Sequence, residues 1–247
     1  MPLGDLASSL EDQEFIRERW APRCGDSDYL CLSDLRQALE EYKSAEPTRV
    51  LDYGCGGSPY RDLFPRAEYL RADFEGSQLD FEIIPGKPLA ADAESVDLVI
   101  STQVLEHVLE PELFLSDCSR VLRPGGKLIV TTHGTFREHA CPHDYHRWTA
   151  EGLRHAFEKA GFEKIVASKL TCGPRALLFL MEIHSQPIHK WSFFGFLIAL
   201  WRNRVRAKRK MFHEWVDAKF PNCRIVPATL GSADLYIGLL VSGSKPQ

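Results

Sequence analysis

The feature that most constrains this chain is an apolar segment that breaks into glycines at residues 49–59, Arg-Val-Leu-Asp-Tyr-Gly-Cys-Gly-Gly-Ser-Pro. Val50 and Leu51 are typical of the end of a buried strand, whereas glycines let the backbone turn tightly or lie against a ligand. In α/β sheets, a turn of this kind after the first strand is where nucleotide-like ligands bind. Taken alone, the pattern also fits a plain connector.

The composition is that of an ordinary soluble globular chain and argues against some classes of partner. With 247 residues, 44% of them hydrophobic and 26% charged, the chain can bury the core of one large α/β domain with an elaboration. The net charge of −4 gives no reason to expect nucleic acid, and we predict no DNA partner. The seven cysteines are scattered without a C-x-x-C pair, and the polar first ten residues carry no signal peptide. We therefore predict reduced thiols and a cytoplasmic protein.

Strand and helix patterns alternate from residue 49 onward. Hydrophobic periodicity predicts strands at residues 49–53, 68–73, 79–84, 96–101, 126–132, 162–168 and 235–241, and helices at residues 110–121 and 150–159. Thr149 suits the N-cap of the second helix, and Gly161 suits its C′ position. Strands separated by helices indicate a mostly parallel sheet with helices on both faces.

These patterns divide the chain into three predicted parts. Residues 1–47, in which leucines recur at helical spacing, are predicted to form an N-terminal helical segment. Residues 48–169 together with residues 232–243 form the predicted α/β domain. Residues 170–231 interrupt the alternation, and we predict a helical and basic insert there.

Within the insert, an apolar run at residues 191–201 precedes a basic run at residues 202–210. Eleven residues are too few to span a bilayer, which takes about 20. One interpretation of residues 191–210 is peripheral contact with the inner face of the membrane, which would imply a lipid-linked or anionic substrate. We favour the other interpretation, a lid helix packed on the core or a homodimer interface.

Five segments in this order resemble the class I S-adenosylmethionine-dependent methyltransferases, specifically the group related to the ubiquinone and menaquinone biosynthesis enzymes. The segments are residues 50–56, 69–73, 96–107, 120–130 and 143–149. The resemblance implies a Rossmann-like, doubly wound sheet of seven mostly parallel strands with an antiparallel last strand. It also implies S-adenosylmethionine as the cofactor. Gly57 and Ser58 depart from the family pattern, since their order is swapped.

The resemblance implies that the cofactor lies across the ends of the first, second and fourth strands. Asp73 would accept from both ribose hydroxyls, Asp52 from the ammonium group, and Phe74 would flank the adenine. Asp80 and Leu89 are further candidates for the adenine pocket. The predicted cofactor-binding residues are Asp52, Tyr53, Gly54, Cys55, Gly56, Tyr60, Asp73, Phe74, Gln103 and Val104.

A cluster of histidines follows the fifth predicted strand. Four histidines and Cys141 fall within residues 133–146, which invites a zinc interpretation, but the spacing lacks a paired metal motif. We therefore favour a loop that faces the acceptor over a metal site or a solvated connector, and we assign no metal ligand.

The predicted catalytic residues are His107, His143 and His146, any of which could act as a general base. A base is dispensable if positioning suffices, because the sulfonium is already activated. For Glu106 and His107, the alternative interpretation is a pair that only caps and packs.

We predict a methyltransferase that methylates a hydroxyl, or another nucleophile, of a small-molecule, glycan or lipid-linked acceptor. One rival hypothesis is a catalytically silent scaffold with the same fold. Another is an RNA methyltransferase that uses residues 202–210 for phosphate contacts. A dinucleotide oxidoreductase is disfavoured, because Gly-x-Gly-Gly lacks the third glycine of that fingerprint.

Overall fold

A central β-sheet organises the computed structural model, which describes residues 10–46, 48–74, 78–184, 200, 204–205, 207–229 and 234–247. The strands are β1 (Arg49–Tyr53), β2 (Glu68–Asp73), β3 (Phe81–Glu82), β4 (Val96–Thr102), β5 (Leu122–His133), β6 (Glu163–Cys172), β7 (Ile225–Pro227) and β8 (Tyr236–Ser244). The helices are α1 (Leu10–Trp20), α2 (Tyr29–Glu40), α3 (Pro111–Val121), α4 (Ala150–Lys159), α5 (Gly173–His184) and α6 (Arg209–Lys219).

The strand order confirms the predicted Rossmann-like sheet and adds one strand to it. Across the described residues the order is β3-β2-β1-β4-β5-β8-β6-β7. Strands β3, β2, β1, β4 and β5 pair in parallel, and β8 runs antiparallel to both β5 and β6, as predicted for the last strand. The added strand β7 lies at the edge, antiparallel to β6. Three residues are too few to show a strand pattern in sequence.

Apolar side chains that alternate in direction along the strands pack against helices on both faces of the sheet. Val50, Ile100 and Ile129 pack with Leu32, Leu35 and Leu39 of α2. The neighbouring strand residues Leu51, Val99 and Val130 point to the opposite face and pack with Leu115 of α3 and with Leu153 and Phe157 of α4. Because successive side chains of a strand face opposite ways, runs that are apolar throughout fit a sheet buried on both sides.

Characteristic residues mark the helix boundaries, and those of α4 were predicted from the sequence. Pro111 is the first residue of α3. The Thr149 Oγ1 accepts a hydrogen bond from the Gly152 N–H at 3.0 Å, and Gly161 has the left-handed φ of +84° expected after a helix. Strand β5 begins earlier than predicted, at Leu122. Leu122 pairs with Val96 and Lys127 pairs with Leu98, so the register shift between these two pairs includes residues 123–126 in the strand.

The described parts of residues 170–231 pack on the rest of the fold. Ala176 and Phe179 of α5 and Val216 of α6 join Leu30 and Ile237 in one buried cluster. Most of the apolar run 191–201 lies outside the described residues, as do residues 202, 203 and 206 of the basic run. None of the helices described here is long and apolar enough to cross a membrane.

A buried ion network ties this region to α2. The Arg175 side chain is fully buried, with its Nε 2.7 Å from Asp34 Oδ2 and its Nη1 2.7 Å from Asp217 Oδ1. Arg224 reaches the same two carboxylates, at 2.9 Å to Asp34 and 3.1 Å to Asp217. Since a buried charge without a partner is costly, the four side chains depend on one another.

We predict that Arg175→Met lowers the free energy of unfolding by about 3 to 5 kcal/mol, because it leaves Asp34 buried with one cation fewer. Urea denaturation followed by circular dichroism measures this loss. The matched control is Arg66→Met at an exposed position, for which we expect a change of about 0.5 kcal/mol or less. Equal effects of the two substitutions would contradict the role of the network.

Candidate active site

A cavity of about 1190 Å³ opens at the carboxyl ends of β1, β2 and β4. Cavities for a single ligand commonly measure about 300–1,000 Å³, so this one has room for two molecules side by side. Of the ten predicted cofactor residues, all but Asp52 line it: Tyr53, Gly54, Cys55, Gly56, Tyr60, Asp73, Phe74, Gln103 and Val104. The strand-end rule predicts a ligand site at this edge of the sheet, and the cavity lies there.

The glycine turn after β1 comes into close contact with the turn after β4. A Cβ at Gly54 would lie 2.5 Å from Val104 Cγ2, and Gly54 has a left-handed φ of +75°. The Gly54 and Cys55 N–H groups both donate to the Ala72 carbonyl, at 2.9 and 3.1 Å. The turn is therefore fixed by β2 on one side and fitted against Val104 on the other.

Ser58, where the sequence departs from the family pattern, continues the same turn. Its φ is +52°, and its Oγ accepts from the buried Arg71 Nε at 3.1 Å. The Arg71 Nη2 also donates to the Gly56 carbonyl at 3.0 Å. The buried Arg71 guanidinium thus holds the glycine turn after β1 in place through two hydrogen bonds.

Asp73 presents its carboxylate to the cavity from the end of β2. Its Oδ2 accepts from the Gly56 N–H at 2.6 Å, and its Oδ1 accepts from the Phe74 N–H at 2.7 Å. Each carboxylate oxygen can accept more than one hydrogen bond. The group is therefore held in place and can still bind hydroxyl donors.

Asp52 lies elsewhere than the sequence analysis placed it. Its side chain is buried on the face of the sheet where Val50 packs, because strand residues two apart share a face. The Tyr69 hydroxyl donates to Asp52 Oδ2 at 2.8 Å, and burial raises the pKa of the Asp52 carboxyl to about 6. Asp80 likewise lies outside the lining, where its Oδ2 accepts from the Arg71 N–H at 2.8 Å, and Leu89 is buried away from the cavity.

Two residues of the lining go beyond the sequence analysis: Arg19 was not predicted as a site residue, and Tyr60 was predicted without a stated interaction. Arg19 of α1 lies in the wall, with its Cζ 3.5 Å from the centroid of the Phe15 ring. The Tyr60 hydroxyl is buried and finds no hydrogen-bond partner within the described part of the chain. Helical spacing predicted only a polar helix in this part of the chain. The position of α1 beside the glycine turn after β1 could not be predicted from it.

Histidines also line the cavity. The described lining includes His107, His133, His139 and His143, but not His146. The His107 Nδ1 lies 2.5 Å from the His143 carbonyl oxygen, which can only accept, so this nitrogen carries the proton. The Nε2 of neutral His107 is then left as an acceptor. The His146 ring packs near Trp148, with ring centroids 5.5 Å apart.

The loop that carries these histidines is held by an ion pair and by backbone bonds. Arg147 binds both carboxylate oxygens of Asp144 at 2.6 Å, and it holds the pKa of that carboxyl well below its usual range. The Tyr145 and His146 N–H groups donate to the Glu106 carbonyl at 2.8 and 3.1 Å. The loop therefore lies against the turn at Leu105–His107.

Glu106 and His133 form a buried polar pair behind the histidines. The Glu106 Oε1 lies 3.1 Å from His133 Nε2, while Thr132 Oγ1 donates to Glu106 Oε2 at 2.8 Å. Burial raises the pKa of Glu106 to about 7 and lowers the pKa of His133 to about 3. Sequence reasoning treated Glu106 as a capping residue, because its partner comes from another strand.

Three comparisons with known proteins bear on this cavity. The family model described as a methyltransferase domain matches residues 25–167. A ubiquinone biosynthesis O-methyltransferase of Parvibaculum lavamentivorans is 33% identical over 112 residues, covering 38% of this chain and 44% of the relative. The match therefore spans less than half the length of that relative.

Solved structures share the fold at low sequence identity. A phosphoethanolamine N-methyltransferase 2 of Haemonchus contortus, bound to phosphomonomethylethanolamine and S-adenosylhomocysteine, has a TM-score of 0.54 at 16% identity and covers 96% of this chain and 57% of its own. The [4+2]-cyclase SpnF has a TM-score of 0.53 at 19% identity and covers 96% of this chain and 92% of its own. Since the family model spans more than half of its residues, this chain belongs to the methyltransferase domain family of S-adenosylmethionine-dependent enzymes.

Proposed function

We propose that the protein transfers the methyl group of S-adenosylmethionine to a hydroxyl of a small molecule that also carries an apolar part. The observation that supports this most directly is the pairing of Asp73 with the glycine turn in a cavity that histidines also line. When bound, the cofactor supplies a methyl group on a positively charged sulfur, which is already activated for transfer.

The cofactor end of the cavity has the groups that S-adenosylmethionine requires. Asp73 would accept hydrogen bonds from the ribose hydroxyls, and the backbone at Gly54 and Gly56 would lie against the amino-acid end. We assign the carboxylate of that end to Arg19 and Tyr60, because the buried Tyr60 hydroxyl otherwise has no partner among the described residues. The ribose, the amino group and the carboxylate of the cofactor would thus each meet a group of the protein that can bind it.

The acceptor end combines apolar side chains with the histidines. Ile84, Leu109 and Leu113 line the cavity and are 44%, 65% and 54% exposed. Exposed apolar groups at a cavity rim favour a ligand with an apolar portion. The Parvibaculum relative is named for O-methylation in ubiquinone biosynthesis, which supports a hydroxyl as the acceptor atom.

His107 is our candidate for the general base. Its Nδ1–H is held by the His143 carbonyl, so its Nε2 can take the hydroxyl proton as the oxygen–methyl bond forms and the sulfur–methyl bond breaks. His143 acts through its backbone oxygen, which fixes the His107 ring. His146 lies outside the cavity lining and takes no part in this proposal.

Asp73→Ala is predicted to weaken S-adenosylmethionine binding about 10- to 100-fold, because hydrogen bonds to a charged acceptor contribute about 1.5–3 kcal/mol. Isothermal titration calorimetry measures the affinity. The control is Asp62→Ala at an exposed position, for which we expect the wild-type affinity. Binding to Asp73→Ala with wild-type affinity would rule out this cofactor site.

Gly54→Ala should weaken cofactor binding at least tenfold, because its new Cβ would push the turn away from Val104. The matched control is Gly161→Ala. Gly161 has a similar φ of +84° but nothing within 4 Å of an added Cβ. The control therefore carries the backbone strain without the steric clash, and we expect it to bind the cofactor normally. Equal affinities of the two variants would show that the close contact is unimportant.

Methyl transfer to the acceptor tests the reaction itself. We predict that S-adenosylhomocysteine forms faster with a catechol that carries an alkyl tail than with the bare catechol. His107→Ala should lower kcat by about 10²- to 10⁴-fold and leave the cofactor affinity unchanged. The control His155→Ala alters an exposed histidine of α4 and should keep full activity. Cofactor binding without turnover of any hydroxylated acceptor would favour the silent scaffold instead.

A further inference from the structure

Three side chains with metal-binding atoms meet beside the cavity, and the two histidines among them line it. Glu106 follows β4, His133 ends β5, and His139 lies in the loop after β5. One ligand atom from each lies within 4.8 Å of the others. Because β4 and β5 are neighbouring parallel strands, their carboxyl ends bring Glu106 and His133 together.

The burial and spacing of these atoms fit a shared ion. The Glu106 side chain is fully buried and that of His133 is 7% exposed. Glu106 Oε1 makes no hydrogen bond to any described residue, although it lies 3.1 Å from His133 Nε2. Two ligands on one tetrahedral zinc ion, with bonds of about 2.0 Å, lie roughly 3.3 Å apart. The observed spacing is close to that value.

Outer contacts orient the three side chains. The Glu106 Oε2 accepts from Thr132 Oγ1 at 2.8 Å, which leaves Oε1 directed elsewhere. The His133 ring stacks on Phe136, with ring centroids 4.1 Å apart and planes at 4°. Such contacts hold the ligands of metal sites in position.

His139 is oriented by acceptors on one side of its ring. Its Nδ1 lies 3.4 Å from Asp144 Oδ2 and 3.4 Å from the Arg137 carbonyl oxygen. Both neighbours accept, so Nδ1 carries the proton and Nε2 is left free to bind an ion. A carboxylate on the second nitrogen is the usual outer contact of a metal-bound histidine.

We propose that Glu106, His133 and His139 bind one divalent transition-metal ion of the zinc class, with a further coordination position open to the cavity. Two histidines and one glutamate form a known ligand set of catalytic zinc sites. Imidazole ligands disfavour Mg²⁺, which prefers oxygen. The spacing within residues 133–146 does not predict this site, because Glu106 comes from another segment of the chain.

The consequence for the reaction rests on the proposed function. His133, His139 and the proposed base His107 line the same cavity. An ion with an open position there would bind the acceptor hydroxyl oxygen and stabilise the negative charge that develops as its proton moves to His107. Acceptors with two neighbouring oxygen atoms would benefit most.

Zinc titration of the tag-free 247-residue chain, after treatment with a chelator, tests the site without cofactor or acceptor. We expect one Zn²⁺ per chain by calorimetry. We also expect Co²⁺ to give the visible absorption bands of a four-coordinate ion. His139→Ala should weaken zinc binding about 100-fold or more, and Glu106→Gln should do the same. The control His155→Ala should bind as the wild type does.

Two results would overturn the proposal. One is the absence of zinc binding by the wild-type protein. The other is zinc binding that His139→Ala and Glu106→Gln leave unchanged, which would place the ion elsewhere. His139 is partly exposed, so its removal keeps the test valid even if Glu106→Gln fails to fold. Zinc binding without methyl transfer would refute the proposed function alone, and methyl transfer without zinc binding would refute the metal site alone.

Discussion

The close contact between the turns after β1 and β4 is the constraint on which the site depends. Gly54 has no Cβ, and Val104 occupies the space where one would lie. With that contact in place, the backbone at Gly56 lies within hydrogen-bond distance of Asp73, and the carboxylate is fixed at the cavity wall. The same turn after β4 leads into Glu106 and His107. The absence of one side chain therefore lets the turn that binds Asp73 lie against the turn that precedes His107.

The edge of the sheet where we propose the cofactor site could be predicted from sequence because its signals are local. Glycines after a strand, and an acid at the end of the next strand, placed Gly54 and Asp73 at the same edge of the sheet. Asp52 shows the limit of this reasoning, since the alternation of β1 turns its side chain away from the cavity. Periodicity predicted the strands of the parallel sheet, although β3 is shorter and β5 longer than expected, and residue type predicted the Thr149 cap of α4.

The acceptor end and the insert depend on contacts between distant segments, which spacing does not reveal. His133 pairs with Glu106 from the turn after β4, and Arg175 pairs with Asp34 from a different helix. The short strand β7 had no pattern to recognise. The fold leaves the reaction open as well, because the cyclase SpnF shares this architecture. We therefore propose that the choice of acceptor depends on the histidine loop and the apolar rim of the cavity.

A crystal structure with S-adenosylhomocysteine is the most direct measurement of the central claim. The account predicts that the ribose hydroxyls bind the Asp73 carboxylate, that the amino-acid end lies along Gly54 and Gly56, and that the sulfur faces His107. A nucleoside bound away from Asp73, or a sulfur turned away from the histidines, would contradict it.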